Sequence, residues 1–563
     1  MPDDTLVGRG LRDALEYQRR KPEETVLYRV VQENLETFLA SARDQGRVVP
    51  RFVERELRAF LGCGLLCRGF LRVRCDDCGR ERLIAYSCKC RGFCPSCGAR
   101  RMADTAAHLV DRVFPEAPVR QYVLSLPFAL RYRLAFDQEL CSGVLRIFVH
   151  SVFSSLKRRA RKNLQMRKAY CGAVSFLQRS GGSINLNPHF HSLLLDGVYA
   201  SSVPYEAPRF HPLPPPTDQE IARITATIAR RVEKLVTRRG LLCEEGPTDP
   251  DPLEADEPLL SQLYSASVRG RVATGARVGQ RVLRLGDRIG VEEVEAITGP
   301  RCASVQGFSL HADVCVPARD RRRLERLVRY GARPPIATER LSELPDGRIL
   351  YRLRHRWRDG TTHVVFEPLD LVARLAALVP PPRANTVRYY GILAPCAAWR
   401  DVAVRDRVEV FQAAPPSPSC PCQPSPAKET APAQQPVTPD GNAAGLPVRR
   451  PANPASEKST ETAAAPGAQR RVSGTAPLRD RRLSWSQLLR RVFSVDALQC
   501  DRCGGRMRIL AAIDQPEVIR DILDCLGLSS RAPPLTPARS PEPTDLELGF
   551  GEPWPGDEPD GEG

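Results

Sequence analysis

Two histidines separated by a single residue, His189 and His191, stand in an apolar stretch that runs to Leu195. Alternate side chains of a β-strand point to the same face, so a strand here would set the two imidazole rings side by side. Neutral imidazoles on one rigid face supply part of a site for a divalent metal ion. Two histidines on a half-buried strand without a metal would fit the same pattern, so the surrounding segments have to decide.

The flanking segments predict elements that hold this strand in place. Residues 172–178 form a strand and residues 179–183 a turn, which makes a hairpin with the histidine strand. Hydrophobic spacing also predicts a strand over 121–127 and helices over 145–170 and about 217–239. Together with a helical segment over about 24–62, these elements indicate an α+β fold.

A second chemical signal comes from cysteines in CxxC pairs. Two such pairs with fifteen residues between them predict one four-cysteine zinc site, made of Cys75, Cys78, Cys94 and Cys97. Four neighbouring thiols are interpreted as packed side chains, although any of them could replace a ligand or form a second site: Cys63, Cys67, Cys88 and Cys90. A third CxxC pair, Cys500 and Cys503, supplies only two ligands, and further ones could come from Cys420, Cys422 or Cys525.

A tyrosine near the end of a predicted helix is a candidate nucleophile. Residues 308–316 alternate as a strand, and a helix over 319–333 follows, ended by Pro334-Pro335. On that helix Tyr330 shares a face with Arg326 and Arg323. Positive charge beside a phenol favours its phenolate form, which is the nucleophile. A surface tyrosine stacked on Arg326 is the alternative.

The overall charge favours a polyanionic partner. The net charge is +17, and one helix end is basic without an acid, through Lys157, Arg158, Arg159, Arg161, Lys162, Arg167 and Lys168. Such like charges repel one another unless an anion is present, which favours phosphate binding over a merely solvated face. The polar N-terminus and the lack of an 18-residue apolar run predict a cytoplasmic protein without a membrane span. In that reducing compartment, clustered cysteines indicate metal sites rather than disulfides.

Several of these stretches resemble one family. LNPHFH at 186–191 followed by LDGVY at 195–199, the upstream cysteines ending at Cys97, and the segment from Leu310 through Tyr330 to Pro335 are similar to rolling-circle HUH transposases of bacterial insertion sequences, of the insertion sequence ninety-one type. The resemblance covers about 28–404, and residues 484–527 are similar to the C-terminal part of some members.

The resemblance implies the following organisation. An HUH endonuclease domain, an antiparallel sheet with flanking helices, follows a zinc-binding module. The expected parts are a helical lead-in (1–62), the transposase zinc-binding domain (63–110), the first part of the nuclease domain (118–200), an insertion (201–300), the second part with the tyrosine helix (301–404), a disordered linker (412–478), a small C-terminal module (479–530) and a disordered acidic tail (531–563).

The resemblance also implies a chemistry. His189 and His191 hold Mg²⁺ or Mn²⁺, and Tyr330 attacks single-stranded DNA at transposon ends, leaving a 5′-phosphotyrosine for transfer to target DNA. Founding members carry a second tyrosine four residues earlier, where this chain has Arg326, so this chain resembles a one-tyrosine variant. DNA contacts are expected from the basic helix end and from Arg323, Arg326 and Arg333, in a nucleoid-associated bacterial protein whose oligomeric state is open.

HUH sites need a third ligand, which in related replication initiators lies on the strand before the histidines. The matching residue is Gln178, with His311 and Asp313 as rivals on the strand that leads to Tyr330. Two other functions stay open at this point: a zinc-dependent DNA-binding protein without catalysis, and a plasmid relaxase or replication initiator. Only a nuclease accounts for the histidine pair and the tyrosine helix together.

Overall fold

The structure is a computed structural model that describes residues 19–201, 203, 206–241, 251–286, 299–357, 359–404, 483–493 and 496–539. The predicted linker at 412–478, the cysteines Cys420 and Cys422, and the predicted acidic tail from residue 540 onward lie outside these ranges. Residues 531–539 are described, and they contact the N-terminal helices. The amide of Gln32 donates to the carbonyl of Pro534 at 2.7 Å, and the backbone N–H of Arg539 donates to the Thr37 hydroxyl at 3.1 Å.

The described chain contains both helices and strands, which follow one another in mixed order. The α-helices are α1 (Val26–Asp44), α2 (Arg51–Leu61), α3 (Pro95–Arg112), α4 (Phe128–Phe136), α5 (Gln138–Leu164), α6 (Asp218–Arg238), α7 (Pro252–Asp256), α8 (Pro258–Arg269), α9 (Arg321–Gly331), α10 (Pro368–Leu378), α11 (Arg400–Ala403), α12 (Trp485–Phe493) and α13 (Pro516–Cys525). The strands are β1 (Phe70–Cys75), β2 (Glu81–Ala85), β3 (Val119–Ser125), β4 (Gly172–Ser180), β5 (Leu186–Leu195), β6 (Gly197–Ala200), β7 (Arg209–Pro212), β8 (Leu283–Gly286), β9 (Cys302–Val305), β10 (Phe308–His311), β11 (Cys315–Val316), β12 (Leu341–Glu343), β13 (Ile349–Arg352), β14 (Thr361–Phe366), β15 (Val387–Gly391) and β16 (Met507–Ile513).

A seven-stranded antiparallel sheet forms the centre of the molecule. Its order is β15-β4-β5-β3-β10-β9, and β11 also pairs with β3. The hairpin predicted around the histidines is present, with Gln178 directly opposite His189. The strand predicted over 308–316 is divided into β10 and β11, and the pairing with β3 shifts in register between His311, opposite Val123, and Cys315, opposite Arg120.

The two faces of this sheet carry different layers. Phe190 and Leu194 of β5 pack with α5 and α6, whereas Leu193 and Leu195 pack with α3 and α9. Since side chains alternate along a strand, His189 and His191 lie on the face covered by α3 and α9. The central strands therefore bring the histidines under the helix that carries Tyr330.

The stretch 201–300, predicted as an insertion, contributes helices to two separate hydrophobic cores. Helix α6 begins with the predicted capping box, in which Thr217 and Glu220 bond reciprocally, and packs against α5 and β9. Helix α8 joins a separate core with α1, α2 and α10. The helices predicted near the N-terminus, α1 and α2, thus pack into this second core.

Among the described residues, α5 is the one helix whose length and apolar composition would suffice to cross a membrane. Of its most apolar window, 56% is buried inside the protein. Its apolar residues, including Val144, Phe148 and Val152, are fully covered by the sheet and by α6. The apolar character of α5 is accounted for by its place in the core.

Candidate metal and tyrosine site

The histidine pair has the geometry of adjacent ligands. The ring centroids of His189 and His191 lie 5.0 Å apart on β5. Nδ1 of His189 lies 2.7 Å from the carbonyl oxygen of Asn187, which can only accept, so the imidazole proton is on Nδ1 and Nε2 carries the lone pair. Nε2 of His191 is buried and has no hydrogen-bond partner. His189 can therefore offer Nε2 to an ion, and His191 can do the same when its proton is on Nδ1.

Gln121 holds the second histidine from behind. Its side-chain amide lies 3.0 Å from Nδ1 of His191, and both residues are buried. With the amide nitrogen facing Nδ1, the imidazole proton sits on Nε2. A half-turn of the amide presents Oε1 instead, which draws the proton to Nδ1 and frees Nε2 for an ion. Sequence reasoning missed this residue, whose only signal was a glutamine inside an apolar strand.

Gln178 completes the set of possible ligands and also contacts the tyrosine helix. Its side-chain nitrogen donates to the carbonyl oxygens of Tyr330 and Gly331, each at 2.8 Å. Its Oε1 is buried without a partner, on the same face as His189 because the two residues are opposite each other. An uncharged amide oxygen beside two imidazoles is a donor set that suits Mn²⁺ or Mg²⁺.

Tyr330 lies directly beside the histidines. Its ring centroid is 5.5 Å from that of His191, and its side chain is 38% exposed, so the phenol is accessible from solvent. The guanidinium of Arg333 stands 4.4 Å over the ring and that of Arg354 stands 5.6 Å away. Arg354, in the segment between β13 and β14, was not anticipated from the sequence.

The tyrosine helix sits close to the sheet because its last residue is a glycine. A Cβ placed on Gly331 would come within 3.0 Å of the ring of Phe176. Phe176 is directly opposite His191 in the sheet. A larger residue at this helix end would therefore lift Tyr330 away from the histidines.

The electrostatic surroundings keep both histidines neutral. Burial is the main cause that lowers the pKa of His191 to about 3, and the neighbouring His189 and Arg333 lower it further. The pKa of His189 is also lowered, mainly by burial, against the opposing hydrogen bond to Asn187 and with help from Arg333 and Arg131. Neutral imidazole is the form that binds a metal ion. The lowered pKa values thus leave the imidazole nitrogens free of a second proton and able to bind a metal ion.

The two rival ligands stand apart from this site. Asp313 is paired with Arg301 at 2.6 Å. His311 is opposite Val123, which is in turn opposite His191, so the whole of β3 separates His311 from the histidine strand. Of the three candidates for the third ligand, Gln178 is the one that lies next to the pair.

The predicted DNA-binding residues fall into two groups. Lys157, Arg158, Arg161 and Lys162 are exposed at the end of α5, which covers the opposite face of the sheet from the histidines. Arg158 lines a cleft of about 570 Å³ between α5 and α6, together with Arg223 and Arg230. On the tyrosine helix, Arg323 and Arg326 are exposed.

One of these predictions is wrong. Arg159 is buried, with 8% of its surface exposed, and its Nε lies 3.7 Å from Glu220 of α6. On a helix that packs on a sheet, every third or fourth residue faces inward, and Arg159 falls on that inner stripe. It joins α5 to α6 and is not accessible to a DNA phosphate.

The cysteines form two groups, and the predicted single zinc site is wrong in its membership. Cys94 and Cys97 group with Cys63 and Cys88, while Cys75 and Cys78 group with Cys500 and Cys503. Within each group all four sulfur atoms lie within 4.8 Å of one another. Cys63 and Cys88 were interpreted as packed thiols from the sequence. Spacing along the chain could not separate the two groups because CxxC pairs are chemically equivalent.

The first group has the dimensions of a zinc site. Four sulfurs at about 2.3 Å from Zn²⁺ in a tetrahedron stand about 3.8 Å apart. The distance from Cys63 Sγ to Cys97 Sγ is 3.9 Å, that from Cys94 to Cys63 is 3.6 Å, and that from Cys88 to Cys97 is 3.4 Å. Cys94 and Cys97 are held at the start of α3, where Cys94 is the residue before the first helical one.

Two family models match the chain, one over the histidine and tyrosine site and one over the first cysteine group. A family model described as a putative transposase matches residues 172–400, and a model described as a transposase zinc-binding domain matches residues 30–126. The first match spans the histidines, Gln178 and Tyr330, and the second spans the whole first cysteine group, which supports structural Zn²⁺ there. No curated protein and no solved structure matches the chain. The two matches together show that the chain belongs to the transposases of the insertion sequence ninety-one type.

Proposed function

We propose that this transposase is a metal-dependent endonuclease and strand transferase for single-stranded DNA, with Tyr330 as its nucleophile. The observation that carries the proposal is the position of the Tyr330 ring, 5.5 Å from His191 and beside two buried ligand atoms without partners. A structural tyrosine would not require unpartnered polar atoms at its side, since burying them costs free energy unless a ligand satisfies them.

Three side chains would hold the ion: His189 and His191 through Nε2, and Gln178 through Oε1. Mg²⁺ or Mn²⁺ in this position would withdraw charge from the scissile phosphate and so ease attack on phosphorus. Gln178 has a second task, because its amide nitrogen bonds to the carbonyls of Tyr330 and Gly331. It would therefore tie the set of ligands to the helix that carries Tyr330.

The proposed step exchanges one ester bond for another. The phenolic oxygen of Tyr330 attacks phosphorus and releases its proton to solvent, while the bond from phosphorus to the 3′ oxygen breaks and that oxygen takes up a proton. The products are a 5′-phosphotyrosine and a free 3′-OH. Attack by a second 3′-OH reverses the exchange and joins strands without ATP, since the tyrosine ester retains the bond energy.

Arg333 and Arg354 are proposed to bind the phosphate under attack. Their guanidinium groups stand 4.4 and 5.6 Å from the Tyr330 ring, and Arg354 is exposed. Guanidinium groups match phosphate oxygens with paired N–H donors, and they stabilise charge that develops in the transition state. Arg326, one turn before Tyr330, leaves a single tyrosine on this helix face, so Tyr330 would act repeatedly or a second protomer would take part.

The test is to trap the covalent intermediate. The full-length protein is incubated with labelled single-stranded element ends and Mn²⁺, and the adduct is mapped by peptide mass spectrometry. We expect the adduct on Tyr330, its loss in Tyr330→Phe with DNA binding retained, and its survival in Tyr170→Phe. Tyr170 is a suitable control because its side chain is similarly exposed, at 40%.

Three results would contradict the proposal. An adduct that survives in Tyr330→Phe and maps to Tyr389 or Tyr390 would identify another nucleophile. Nicking that continues unchanged in EDTA would reject the metal role of His189 and His191. DNA binding without any adduct in the wild-type protein would favour a zinc-dependent binding protein without catalysis.

The proposed partners follow from this chemistry. They are single-stranded DNA at the ends of the element and target DNA. The protein would bind both in the bacterial cytoplasm, close to the nucleoid. The net charge of +17 suits such a partner and predicts that binding weakens as salt increases.

A further inference from the structure

The second cysteine group joins two distant parts of the chain. Sγ of Cys75 lies 3.4 Å from that of Cys503, and Sγ of Cys78 lies 3.5 Å from that of Cys500. These separations are close to the value of about 3.8 Å expected around Zn²⁺. We propose that this group binds a second structural Zn²⁺, which fastens the C-terminal segment 483–539 to the zinc-binding domain.

The two CxxC turns have the same backbone construction. Gly79 and Gly504 follow the second cysteine of each pair, with φ of 71° and 75°. The N–H of Gly79 bonds to the carbonyl of Cys75 at 3.1 Å, and that of Gly504 bonds to the carbonyl of Cys500 at 3.0 Å. Residues with a Cβ rarely adopt this left-handed conformation, so each glycine is required by its turn. Two matched turns that aim their thiols at one point have the form of a built metal site.

Strand pairing brings these turns together. β16 adds to the edge of β1 in antiparallel register, with Cys75 opposite Met507 and Phe70 opposite Ile513. β1 ends at the first turn and β16 begins just after the second, so both turns fall at the same end of the sheet. The spacing along the chain is 422 residues between Cys78 and Cys500.

Charged residues link the same two turns in both directions. Asp501 of the C-terminal turn pairs with Arg82 at 3.2 Å and with Arg80 at 3.4 Å. Asp76 of the N-terminal turn pairs with Arg508 at 3.4 Å. Surface pairs of this kind contribute little stability, but opposite charges on both sides select this partner and this register.

The C-terminal segment also reaches the tyrosine helix. Arg491 of α12 bonds to Glu325 of α9 at 2.8 Å and to both carboxylate oxygens of Asp111 on α3. Glu325 is buried and lies five residues before Tyr330. The segment held by the second Zn²⁺ thus braces the tyrosine helix against the helix of the zinc-binding domain. The zinc assignment is independent of the proposed nicking, whereas this positioning role for Arg491 rests on it.

The first experiment counts zinc. Full-length protein, purified under reducing conditions, is analysed by native mass spectrometry and by elemental analysis. We expect two Zn²⁺ per chain, one in the double variant Cys500→Ser/Cys503→Ser, and two in the control Cys396→Ser, whose thiol is exposed and outside both groups. One Zn²⁺ in the wild type, an unchanged count in the double variant, or disulfides from Cys75 to Cys503 would overturn the assignment.

The second experiment tests the fastening. A protease recognition site is introduced between residues 412 and 478 of the full chain, and the cleaved protein is passed over a size-exclusion column in increasing urea. We expect the C-terminal fragment to remain bound in the wild type and to be released at lower urea in the double serine variant or after zinc chelation. Release at the same urea concentration in all three samples would overturn the role of the ion in holding the segment.

A third measurement separates this inference from the proposed function. Arg491→Ala should keep two Zn²⁺ but slow adduct formation by up to about 100-fold, because a displaced nucleophile loses its alignment. The matched control is Arg490→Ala, since the Arg490 side chain is largely exposed and its ion pair with Asp496 is long, at 3.9 Å. An unchanged rate in Arg491→Ala would reject the bracing role. Absence of the adduct in the wild type would instead reject the proposed nicking and leave the zinc count standing.

Discussion

Gln178 is the residue that links the proposed metal ligands to the tyrosine helix. Its nitrogen bonds to the backbone carbonyls of Tyr330 and Gly331, while its oxygen is buried without a partner on the strand opposite His189. Gln178→Glu should retain a ligand oxygen but lose both bonds, whereas Gln178→Ala should lose the ligand as well. We expect Mn²⁺ affinity to fall mainly in the alanine variant and nicking to fall in both, measured by calorimetry and by adduct formation.

The stability of the two Gln178 variants provides the check. Two lost hydrogen bonds to backbone carbonyls should reduce the free energy of unfolding by about 1–3 kcal/mol. Wild-type nicking in Gln178→Glu would show that the tether to Tyr330 does not matter. Unchanged Mn²⁺ affinity in Gln178→Ala would remove Gln178 from the set of ligands.

Gln121 does not reach the proposed metal position but orients His191 through its bond to Nδ1. Residues that orient a ligating histidine typically change metal affinity by about 10–100-fold when removed. Gln121→Ala should therefore weaken Mn²⁺ binding by that factor, while Gln219→Ala, at an exposed position on α6, should leave it unchanged. Equal affinities in the two variants would show that His191 needs no support from Gln121.

The buried imidazole of His191 makes the metal-free protein sensitive to acid. Its pKa is lowered to about 3 in the folded protein from an ordinary value of 6.5. Below pH 6.5 the unfolded chain takes up a proton that the folded chain does not, so stability falls as the pH drops, by at most about 1.4 kcal/mol per pH unit for this group. Above pH 6.5 both states are neutral and the effect vanishes.

Thermal unfolding of metal-free protein between pH 7.5 and 5 measures this effect. We expect His191→Gln to lose less stability over that interval than the wild type does. A parallel decline in both proteins would mean that other groups cause the acid sensitivity.

At the scale of elements, two adjacent arginines of α5 have different surroundings, because one faces solvent and the other faces the core. Arg158 lines the cleft between α5 and α6, while Arg159 is buried against Glu220. Arg158→Ala should weaken DNA binding at all sequences and flatten the salt dependence by up to about one unit, without a large effect on stability. Arg159→Ala should instead destabilise the fold, because Glu220 loses a partner at the α5–α6 contact.

Binding isotherms at several salt concentrations, combined with thermal unfolding, distinguish the two variants. An unaltered salt slope in Arg158→Ala would mean that this end of α5 faces solvent only. Because α5 lies on the face opposite the histidines, DNA bound there would have to pass around an edge of the sheet to reach Tyr330.

At the scale of the whole molecule, the first zinc site should control folding of the N-terminal half. Structural Zn²⁺ contributes about 10–16 kcal/mol of apparent binding free energy, and the first cysteine group lies in the same core as α1, α2 and α10. Cys94→Ser should lose one Zn²⁺ and lower the midpoint of thermal unfolding. Cys67→Ser is the matched control, since Cys67 is adjacent but outside both groups. Loss of zinc in both variants, or in neither, would contradict this assignment.

Much of the geometry of the candidate site was already determined by the sequence. The alternation around His189 and His191 placed both rings on one face, the hairpin set Gln178 opposite, and the helical spacing assigned Tyr330 to a helix ended by prolines. These features depend on neighbouring residues, whose side chains follow the repeat of a strand or a helix. The comparisons confirm the family that these motifs resemble.

Tertiary structure alone decided how distant segments combine. The partners of Cys75 and Cys78 come from beyond residue 483, because β16 pairs with β1 and carries its own cysteines into place. The inward side of α5 turned Arg159 into a core residue, and the approach of separate strands brought Gln121 and Arg354 to the site. In each case residues of one chemical type had several possible partners, and long-range packing rather than local spacing selected among them.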